Sequence, residues 1–287
     1  HNDSGDRARL FAFDQNGVSL GQIELNNLEP IDWEDLSAGP CDGTRCLVVG
    51  DIGDNPSTRL GISLHRLEEP EPPGLGKTIS LDVESLSVVY PEGATDAEGL
   101  AVDPQTGDIF VVTKNRQLPI STVFRLSADR WGSENPVVLE PVGDISWQGQ
   151  GLATQATAAA IDPAGNELFV QTYTQGQRIK LVRRQGRIES LGRVQPFTPW
   201  SLGQCEAMAF AEQGKSLWFT CESAPAPLAQ ASCATEPPAE VAPGSVVEFE
   251  PTGCGGCQQA PSSIWATLLL FALRLRSKGV EPRRRSA

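Results

Sequence analysis

The chain has 287 residues, enough to bury a substantial core as one domain, and it combines few aromatic residues (6%) with 28 glycines and 22 prolines. Its net charge of -13 is unevenly spread, because residues 1–253 carry 35 acidic and 17 basic side chains whereas the end of the chain is basic. Such an acidic body repels nucleic acid and anionic membranes, so it argues against nucleic-acid binding and favours cations or cationic partners.

A unit of two short strands joined by a turn recurs along the chain. The clearest copy is 96–114, DAEGLAVDPQTGDIFVVTK, in which apolar strands flank Asp-Pro and Gly-Asp turn residues. Related stretches lie at 32–51, 154–173 and 204–222. The matching strand starts, spaced 64, 59 and 49 positions apart, are Glu34, Glu98, Thr157 and Glu206. Short strands repeated at roughly 50 to 60 residues predict an all-β chain folded as a β-propeller.

The first unit is incomplete at its start. Its two strands, at 9–13 and 18–25, flank an Asn-Gly turn, which is the strongest short hairpin signal. The opening residues, 1–6, match the strand exits of the other units. We therefore expect the natural protein to continue upstream with the missing strand of this unit and a secretion signal.

The later units follow in chain order. The second has outer strands at 61–66 and 81–90, and the Pro-rich stretch 68–76 between them is a surface loop. In the fifth, the Pro/Ala-rich loop 223–244 is expected to be mobile, and 245–250 resumes the blade as a strand. Five units are countable, and residues upstream decide between five and six blades. The four later units span 32–90, 96–142, 151–194 and 204–250.

Seven cysteines without a zinc-type pattern of paired CxxC motifs indicate an oxidising compartment. Cys41 and Cys46 flank a turn and are predicted to close that hairpin with a disulfide. Cys205 and Cys221 stand near opposite ends of one two-strand unit, so their pairing depends on the register. The partner of Cys233 is left open.

Matching positions of propeller repeats converge at one mouth of the central channel. Ca²⁺ takes about six to eight oxygen ligands from acidic and amide side chains, so one hypothesis is a Ca²⁺ site at this mouth. The alternative is that the same acids cap turns and accept bonds from neighbouring backbone amides. The candidate metal ligands are Glu34, Asp51, Asp54, Glu98, Glu206 and Glu222. Further candidates for ligand contacts are Asp3, Asn55, Lys114, Asn115 and Tyr173.

Signals for nucleophilic catalysis are weak. One of the two histidines, His65, lies within a strand pattern and is expected to be structural, and neither a Gly-x-Ser-x-Gly nor a His-Glu-x-x-His motif occurs. Carboxylate pairs leave a glycosidase or lactonase conceivable, although an acidic protein always offers such pairs. The cationic cluster at 114–116 has fewer basic groups than a phytase-like phosphate site normally uses.

The motifs DWEDL, GDIGDN, EGLAVDP and VVTK resemble those of a group of secreted bacterial β-propeller proteins of uncharacterised function. The resemblance covers most of residues 1–222. More distantly, the chain is similar to Ca²⁺-dependent propeller enzymes, namely phytase-like esterases and gluconolactonase-type hydrolases. Their acidic channel residue in an E-G-[LI]-A context matches Glu98 and, less well, Glu34 and Glu206, whereas the fourth unit departs with Thr157.

The C-terminal segment, 251–287, differs from the propeller domain assigned to 1–250. Gly-Cys-Gly-Gly-Cys with Cys254 and Cys257 precedes the apolar stretch 264–273 and an arginine cluster. This arrangement resembles the MYXO-CTERM sorting segment of myxobacterial surface proteins, which implies transient membrane anchoring, processing at the Cys motif and display at the cell surface. The alternative is a short apolar helix packed on the body, or a poorly ordered end.

Two functions from different classes follow. The first is a secreted or surface-displayed binding or scaffold module, with Ca²⁺ at the acidic channel mouth and a protein, glycan or small molecule as its partner. The second is a Ca²⁺-dependent hydrolase of phosphoesters or lactones, in which Ca²⁺ activates a water, Glu98 or Asp51 is a ligand, and Lys114 steadies developing negative charge. The propeller fold hosts both classes, so the fold alone does not choose between them.

Overall fold

The computed structural model describes residues 1, 5–199, 204–211, 214–222, 226–233 and 257–259. Within these ranges the chain is almost entirely β-structure, and its five sheets stand as five blades in a ring. The fold is therefore a β-propeller, as the sequence predicts. In chain order the strands are β1 (Arg9–Phe13), β2 (Ser19–Leu25), β3 (Trp33–Cys41), β4 (Thr44–Asp51), β5 (Ile62–Glu68), β6 (Thr78–Leu81), β7 (Glu84–Val89), β8 (Ala97–Val102), β9 (Ile109–Thr113), β10 (Ile120–Leu126), β11 (Val137–Val138), β12 (Glu140–Ser146), β13 (Ala156–Ile161), β14 (Glu167–Thr172), β15 (Gly176–Arg184), β16 (Arg187–Phe197), β17 (Cys205–Phe210), β18 (Ser216–Cys221), β19 (Leu228–Cys233) and β20 (Cys257–Gln259).

Blades 2 to 5 each begin with an inner strand at the ring axis, namely β3, β8, β13 and β17. From the axis outward, the strand orders are β3-β4-β5-β7-β11 in blade 2, β8-β9-β10-β12 in blade 3, β13-β14-β15-β16 in blade 4 and β17-β18-β19-β20 in blade 5. Blade 1 contains β1, β2 and β6 within the described part of the chain. Neighbouring strands are antiparallel except for the outermost pairs β2–β6 and β7–β11, which are parallel.

The hydrophobic core lies between neighbouring blades rather than in one central mass. Strand β8 is buried at every position because its alternate side chains face two different blades. Leu100 and Val102 pack with Leu64 and Val88 of blade 2, while Ala101 packs with residues of blade 4. The inner strands therefore read as short, nearly uninterrupted apolar runs, which gives the repeated pattern its sequence signature.

Two outer segments differ from the sequence prediction. The outer strand expected at 81–90 is β7 of blade 2, but the preceding strand β6, which was not predicted, pairs with β2 of blade 1. Ile79 and Leu81 of β6 pack on the core between blades 1 and 2, which accounts for this crossing. The prediction of a mobile loop at 223–244 is wrong for 228–233, because this segment is β19, paired with β18.

Both predicted disulfides are present, Cys41–Cys46 and Cys205–Cys221. The second forms because Cys205 and Cys221 are directly paired in the β17–β18 register, which the sequence could not decide. Strand β20 lies in the segment assigned to the C-terminal tail, and its register places position 257 opposite position 233. The proposed strand at 245–250, the first cysteine of the sorting motif at 254 and the apolar stretch 264–273 lie outside the described residues.

Candidate functional site

The candidate site lies where the inner strands begin, at the end of the ring that we call the mouth face. Successive strands of a blade alternate in direction, so the start of the first strand and the loop between the second and third share this end. Contacts between blades bring these ends together: the Asp54 N–H donates to Asp96 Oδ1 (2.9 Å), and Lys114 Nζ donates to the Tyr173 hydroxyl (3.2 Å). The predicted positions of several blades therefore meet here.

A chain of buried and partly buried polar side chains crosses blades 3, 4 and 5 at the mouth. The Lys114 ammonium pairs with the Glu98 carboxylate, and the side chains of both are about nineteen-twentieths buried. Lys114 also donates to Tyr173, whose hydroxyl in turn donates to Glu206 Oε1 at 2.6 Å. These four predicted residues are thus joined in one network, which we call the mouth network.

Burial shifts the acid–base properties of the mouth network. It raises the pKa of Glu98 to about 7, while the neighbouring Lys114 charge lowers that pKa part of the way back. Burial and the bond to Glu206 raise the pKa of Tyr173, so its phenol remains a proton donor over the physiological range. A carboxyl that titrates near neutrality is able to exchange a proton with a bound molecule.

Arg116 is the exposed cation at the edge of the mouth network, with its side chain 44% accessible. Its guanidinium donates to Asn55 Oδ1 and lies 3.6 Å from Asp96 Oδ2 and 4.0 Å from Glu98 Oε1. Asp96 Oδ2 is buried and has no hydrogen-bond partner among the described residues. Asp96 and Arg116 were not among the predicted site residues.

The Asp51 carboxylate stabilises the segment that connects blades 1 and 2. Its carboxylate accepts the backbone N–H groups of Ile31 (2.8 Å) and Asp32 (3.1 Å) and pairs with Arg59 at 2.8 Å. These are the contacts that the turn interpretation expects. They leave Asp51 little capacity as a metal ligand.

Asp54 and Asn115 organise the loops that carry them. The Asp54 carboxylate accepts the N–H groups of Thr58 (2.9 Å) and Arg59 (2.8 Å). The Asn115 side chain does the same for the N–H groups two and three residues later, at 2.9 and 2.8 Å. Both loops are therefore held in defined conformations by their own polar side chains.

Two further carboxylates converge beside the glycine of the GDIGDN loop. A Cβ atom added at Gly53 would stand 2.3 Å from Glu34 Oε1 and 2.5 Å from Asp32 Oδ2, so the lack of a side chain there makes room for both. Asp32 was missed in the sequence analysis. The signal that could have found it is the Asp-x-Glu pattern shared by 32–34 and 96–98.

The fourth blade departs from the acidic pattern for a packing reason. The Thr157 hydroxyl donates to the Cys205 carbonyl at 3.0 Å, and Gln171 donates to the same oxygen at 3.0 Å. Thr157 therefore ties blade 4 to blade 5 and places no charge at the mouth.

Asp35 is a buried acid that the sequence analysis did not single out. Its carboxylate lies at the axis and accepts the N–H groups of Leu36 (2.8 Å), Leu100 (2.8 Å) and Ala159 (3.2 Å), which belong to three blades. Burial raises the pKa of Asp35 to about 8, against the lowering effect of these three donors. Asp35 therefore links the inner strands below the mouth.

The other predicted residues lie outside the mouth network. Glu222 is exposed, and its backbone N–H donates to the Gln204 carbonyl. Position 3 is outside the described residues. His65 is buried against Ser85, with its pKa lowered to about 4 by burial, as befits a structural residue.

Among the described residues, no group of three or more His, Cys, Asp or Glu side chains is arranged to hold a metal ion, and the Ca²⁺ site stays a prediction.

The mouth network lines neither of two cavities that open on the described surface. One of about 340 Å³ lies between blades 2 and 3 at the end opposite the mouth, beside the Cys41–Cys46 disulfide and Trp131. The other, of about 410 Å³, lies on blade 4 near Gln148 and Phe197.

In the part of the chain that the structure covers, no helix has the length and apolar character needed to cross a membrane.

No family model matches the chain, and no curated protein matches it in sequence. Solved structures show distant similarity to β-propeller proteins. The β-propeller domain of Cps50 (Swd1) from Myceliophteria thermophila is 11% identical with a TM-score of 0.39, covering 80% of this chain and 59% of that one. A 6-phosphogluconolactonase-like protein from Bacteroides uniformis is 12% identical with a TM-score of 0.38, covering 79% and 60%.

Hydrazine synthase from Kuenenia stuttgartiensis is also similar, at 11% identity and a TM-score of 0.43, covering 82% of this chain and 67% of that one. The chain spans about three fifths of the length of the Myceliophteria and Bacteroides structures. At these identities the similarity concerns the fold and leaves the function open.

Proposed function

We propose that this propeller is a secreted or surface-displayed binding module whose mouth face takes a positively charged ligand. The observation that carries the proposal is the excess of carboxylates over cations at the mouth. The cationic side chains that form ion pairs there are those of Arg59, Lys114 and Arg116. The carboxylates are Asp32, Glu34, Asp51, Asp54, Asp96, Glu98 and Glu206.

The buried cations are already paired, so they do not offset the charge of the outer acids. Lys114 forms an ion pair with Glu98, and Arg59 forms one with Asp51, both inside the protein. The excess of carboxylates creates a negative potential at the mouth face, which attracts a cation approaching from solvent.

Ca²⁺ is the candidate inorganic ligand. Asp32 and Glu34 would supply oxygens beside Gly53, because their carboxylates converge there. Glu98 is the less suitable ligand, since a metal ion would have to compete with the Lys114 ammonium. Bound Ca²⁺ would lower the local negative charge and hold the first strand of blade 2 against the GDIGDN loop.

The two disulfides are consistent with an extracellular protein, which supports the proposed secretion. Surface display through the C-terminal sorting segment rests on the sequence resemblance alone. The polypeptide, glycan or small molecule that the module binds would meet the mouth face, where the loops of neighbouring blades come together.

The first test is a thermal melt with Ca²⁺, with Mg²⁺ and with the organic polycation spermine. A ligand at 100 times its dissociation constant stabilises the folded state by about 2.7 kcal/mol, which raises Tm by several degrees. We expect Glu34→Gln to abolish the shift produced by Ca²⁺, whereas the matched control Glu189→Gln on outer strand β16 keeps it. Melts unchanged by all three cations would contradict the proposal.

A hydrolase is the second candidate, favoured by the pKa of Glu98, which burial brings to about 7. Glu98 would act as general base toward a water, with Lys114 as a hydrogen-bond donor to an oxygen that gains negative charge. Assays of phosphoester and lactone panels with and without Ca²⁺ test this candidate. We expect activity that rises with pH around 7 and is lost in Glu98→Gln, and no turnover of any substrate would count against it.

A further inference from the structure

Exposed aliphatic side chains lie in the loops that surround the acidic mouth. Each is more than half exposed. One precedes β3, one lies between β4 and β5, one between β9 and β10, and one precedes β13, so strand alternation places all four at the mouth end. We call this set the apolar rim; it consists of Ile31, Leu60, Leu118 and Leu152.

Polar residues of the mouth hold the backbone at or beside three of these side chains. Asp51 accepts the Ile31 N–H, and Asn115 accepts the Leu118 N–H. Asp54 accepts the N–H of the residue that precedes Leu60. The backbone that carries these three side chains is therefore held in ordered loops, which lowers the entropy lost when a partner covers them.

Because charge and apolar surface occur on one face, they limit the kind of ligand that fits. A free metal ion or polyamine would use the carboxylates and leave the rim in water. An anionic lipid surface would be repelled by the acids. A polypeptide segment with basic side chains between apolar ones matches both features at once, since the basic groups meet the carboxylates and the apolar groups cover the rim.

We propose that the mouth face docks a basic, amphipathic polypeptide segment, with its Lys or Arg side chains at the acidic mouth and its apolar side chains on the apolar rim. This inference rests on the proposed function, because it names the class of ligand for the same face. The acids provide attraction at long range and orientation, while the rim adds the contact area that distinguishes a protein partner from a simple cation.

The test uses the full chain and two labelled synthetic peptides of equal length and charge, one alternating Lys with Leu and the other Lys with Ser. Fluorescence anisotropy gives Kd for each peptide. We expect the Lys/Leu peptide to bind about tenfold more tightly or better, because each leucine removed from water adds to the affinity. Leu60→Ser combined with Leu118→Ser should bring its Kd close to that of the Lys/Ser peptide.

The matched control is Leu75→Ser, since Leu75 is 75% exposed in the segment before β6, away from the mouth loops, and Leu60 is 91% exposed. Such exposed positions are not expected to affect folding, and Leu75→Ser should leave both Kd values unchanged. Equal Kd values for the two peptides, unaffected by the rim substitutions, would overturn the rim inference while the cation-binding function stood. Failure of both Lys peptides to bind would overturn the inference, and melts that are also unchanged by the three cations would refute the proposed function as well.

A third arm separates a protein partner from a membrane. Vesicles of zwitterionic phosphatidylcholine lack the net charge that the acids would repel, so they offer the rim a neutral lipid surface. We expect no co-sedimentation with these vesicles. Co-sedimentation that is lost in the Leu60→Ser, Leu118→Ser variant would overturn the inference and assign the rim to a membrane.

Discussion

Carboxylates behave differently at the two ends of this propeller. At the end opposite the mouth, Asp103 is fully buried, caps its own turn through the Gln105 N–H and the Thr106 hydroxyl, and receives both Nη atoms of Arg183 from blade 4. At the mouth, carboxylates meet those of other blades and outnumber the cations. The first arrangement is complete within the protein and stabilises it, whereas the second has more carboxylates than cations, and we propose that this excess attracts a positively charged ligand.

Removing the Asp103 carboxylate should lower the stability of the protein more than any other substitution described below. Asp103→Ala strips the turn of its cap and leaves the mostly buried Arg183 guanidinium without its carboxylate. We expect a loss of about 4 kcal/mol in the free energy of unfolding, measured by urea denaturation. The control Glu189→Ala breaks an exposed pair with Arg184 and should change stability by less than about 1 kcal/mol. Equal losses in both variants would remove the distinction between the two ends.

The buried pair of the mouth network should depend strongly on pH. Lys114→Met leaves the buried Glu98 carboxylate with only the more distant Arg116 guanidinium, 4.0 Å away, so we expect a loss of about 3 kcal/mol at pH 8. The folded-state pKa of Glu98 is raised, so its contribution to stability is present at low pH and is lost as the pH rises from about 4.5 through 7. The substitution raises this pKa further.

The destabilisation by Lys114→Met should therefore shrink at pH 5, where Glu98 is protonated. Urea denaturation at both pH values measures it. Lys180→Met, at an exposed position on β15, is the control and should show little change at either pH. A loss of the same size at pH 5 and pH 8 would mean that Lys114 stabilises by packing rather than by charge.

Asp35 lies between the two ends, and we expect it to make the free energy of unfolding depend on pH as well. Burial raises its folded-state pKa above the unfolded value, so its contribution is greatest below about pH 4 and is lost as the pH rises toward about 8. We expect Asp35 to lower the free energy of unfolding as the pH rises from 5 to 8, by at most about 1.4 kcal/mol per pH unit.

Asp35→Asn should be less stable than the parent protein at pH 5, because an amide nitrogen cannot accept the N–H groups that Asp35 Oδ2 binds. Its stability should fall less between pH 5 and pH 8. Urea midpoints at several pH values give this comparison, and an unchanged slope would show that Asp35 does not titrate in this range.

The smallest effect is expected at the outer edge of the mouth network. Tyr173→Phe removes the proton donor to Glu206 and one acceptor of Lys114, while the ring is retained. We expect the free energy of unfolding, measured by urea denaturation, to fall by about 1 kcal/mol. We also expect a higher affinity for a cation, because the Glu206 oxygen no longer accepts the Tyr173 hydroxyl. A loss above about 3 kcal/mol would place Tyr173 in the structural core rather than at a ligand face.

Much of the fold was readable because inner strands carry a local signal. The apolar run, the Asp-Pro or Gly turn and the second strand all lie within about twenty residues, and the turn chemistry acts over the same distance. The crossing of β6 to blade 1 was missed, since it depends on Ile79 and Leu81 packing against residues more than fifty positions away. The strand at 228–233 was missed because the Pro/Ala-rich surroundings favoured a loop.

The candidate site was predicted in part for the same reason. Repeat position identified Glu98, Lys114, Tyr173 and Glu206, which the structure joins in one network. Repeat position also selected Asp51 and Asp54. Both carboxylates instead accept hydrogen bonds from nearby backbone N–H groups and stabilise the loops that contain them. Sequence spacing reports which ends of strands meet, but it does not report what each side chain contacts once they do.

By itself, the sequence determined the class of fold, the acidic character of the body, the hairpin disulfide and the strand ends that line the mouth. These properties depend on composition and on short-range patterns. Only the tertiary structure decided which carboxylates are neutralised, because that depends on the approach of Lys114, Arg59 and Arg183 across blades and on the water that folding removes. Charge at a site is the balance of neighbours distant in the chain, and folding alone brings those neighbours together.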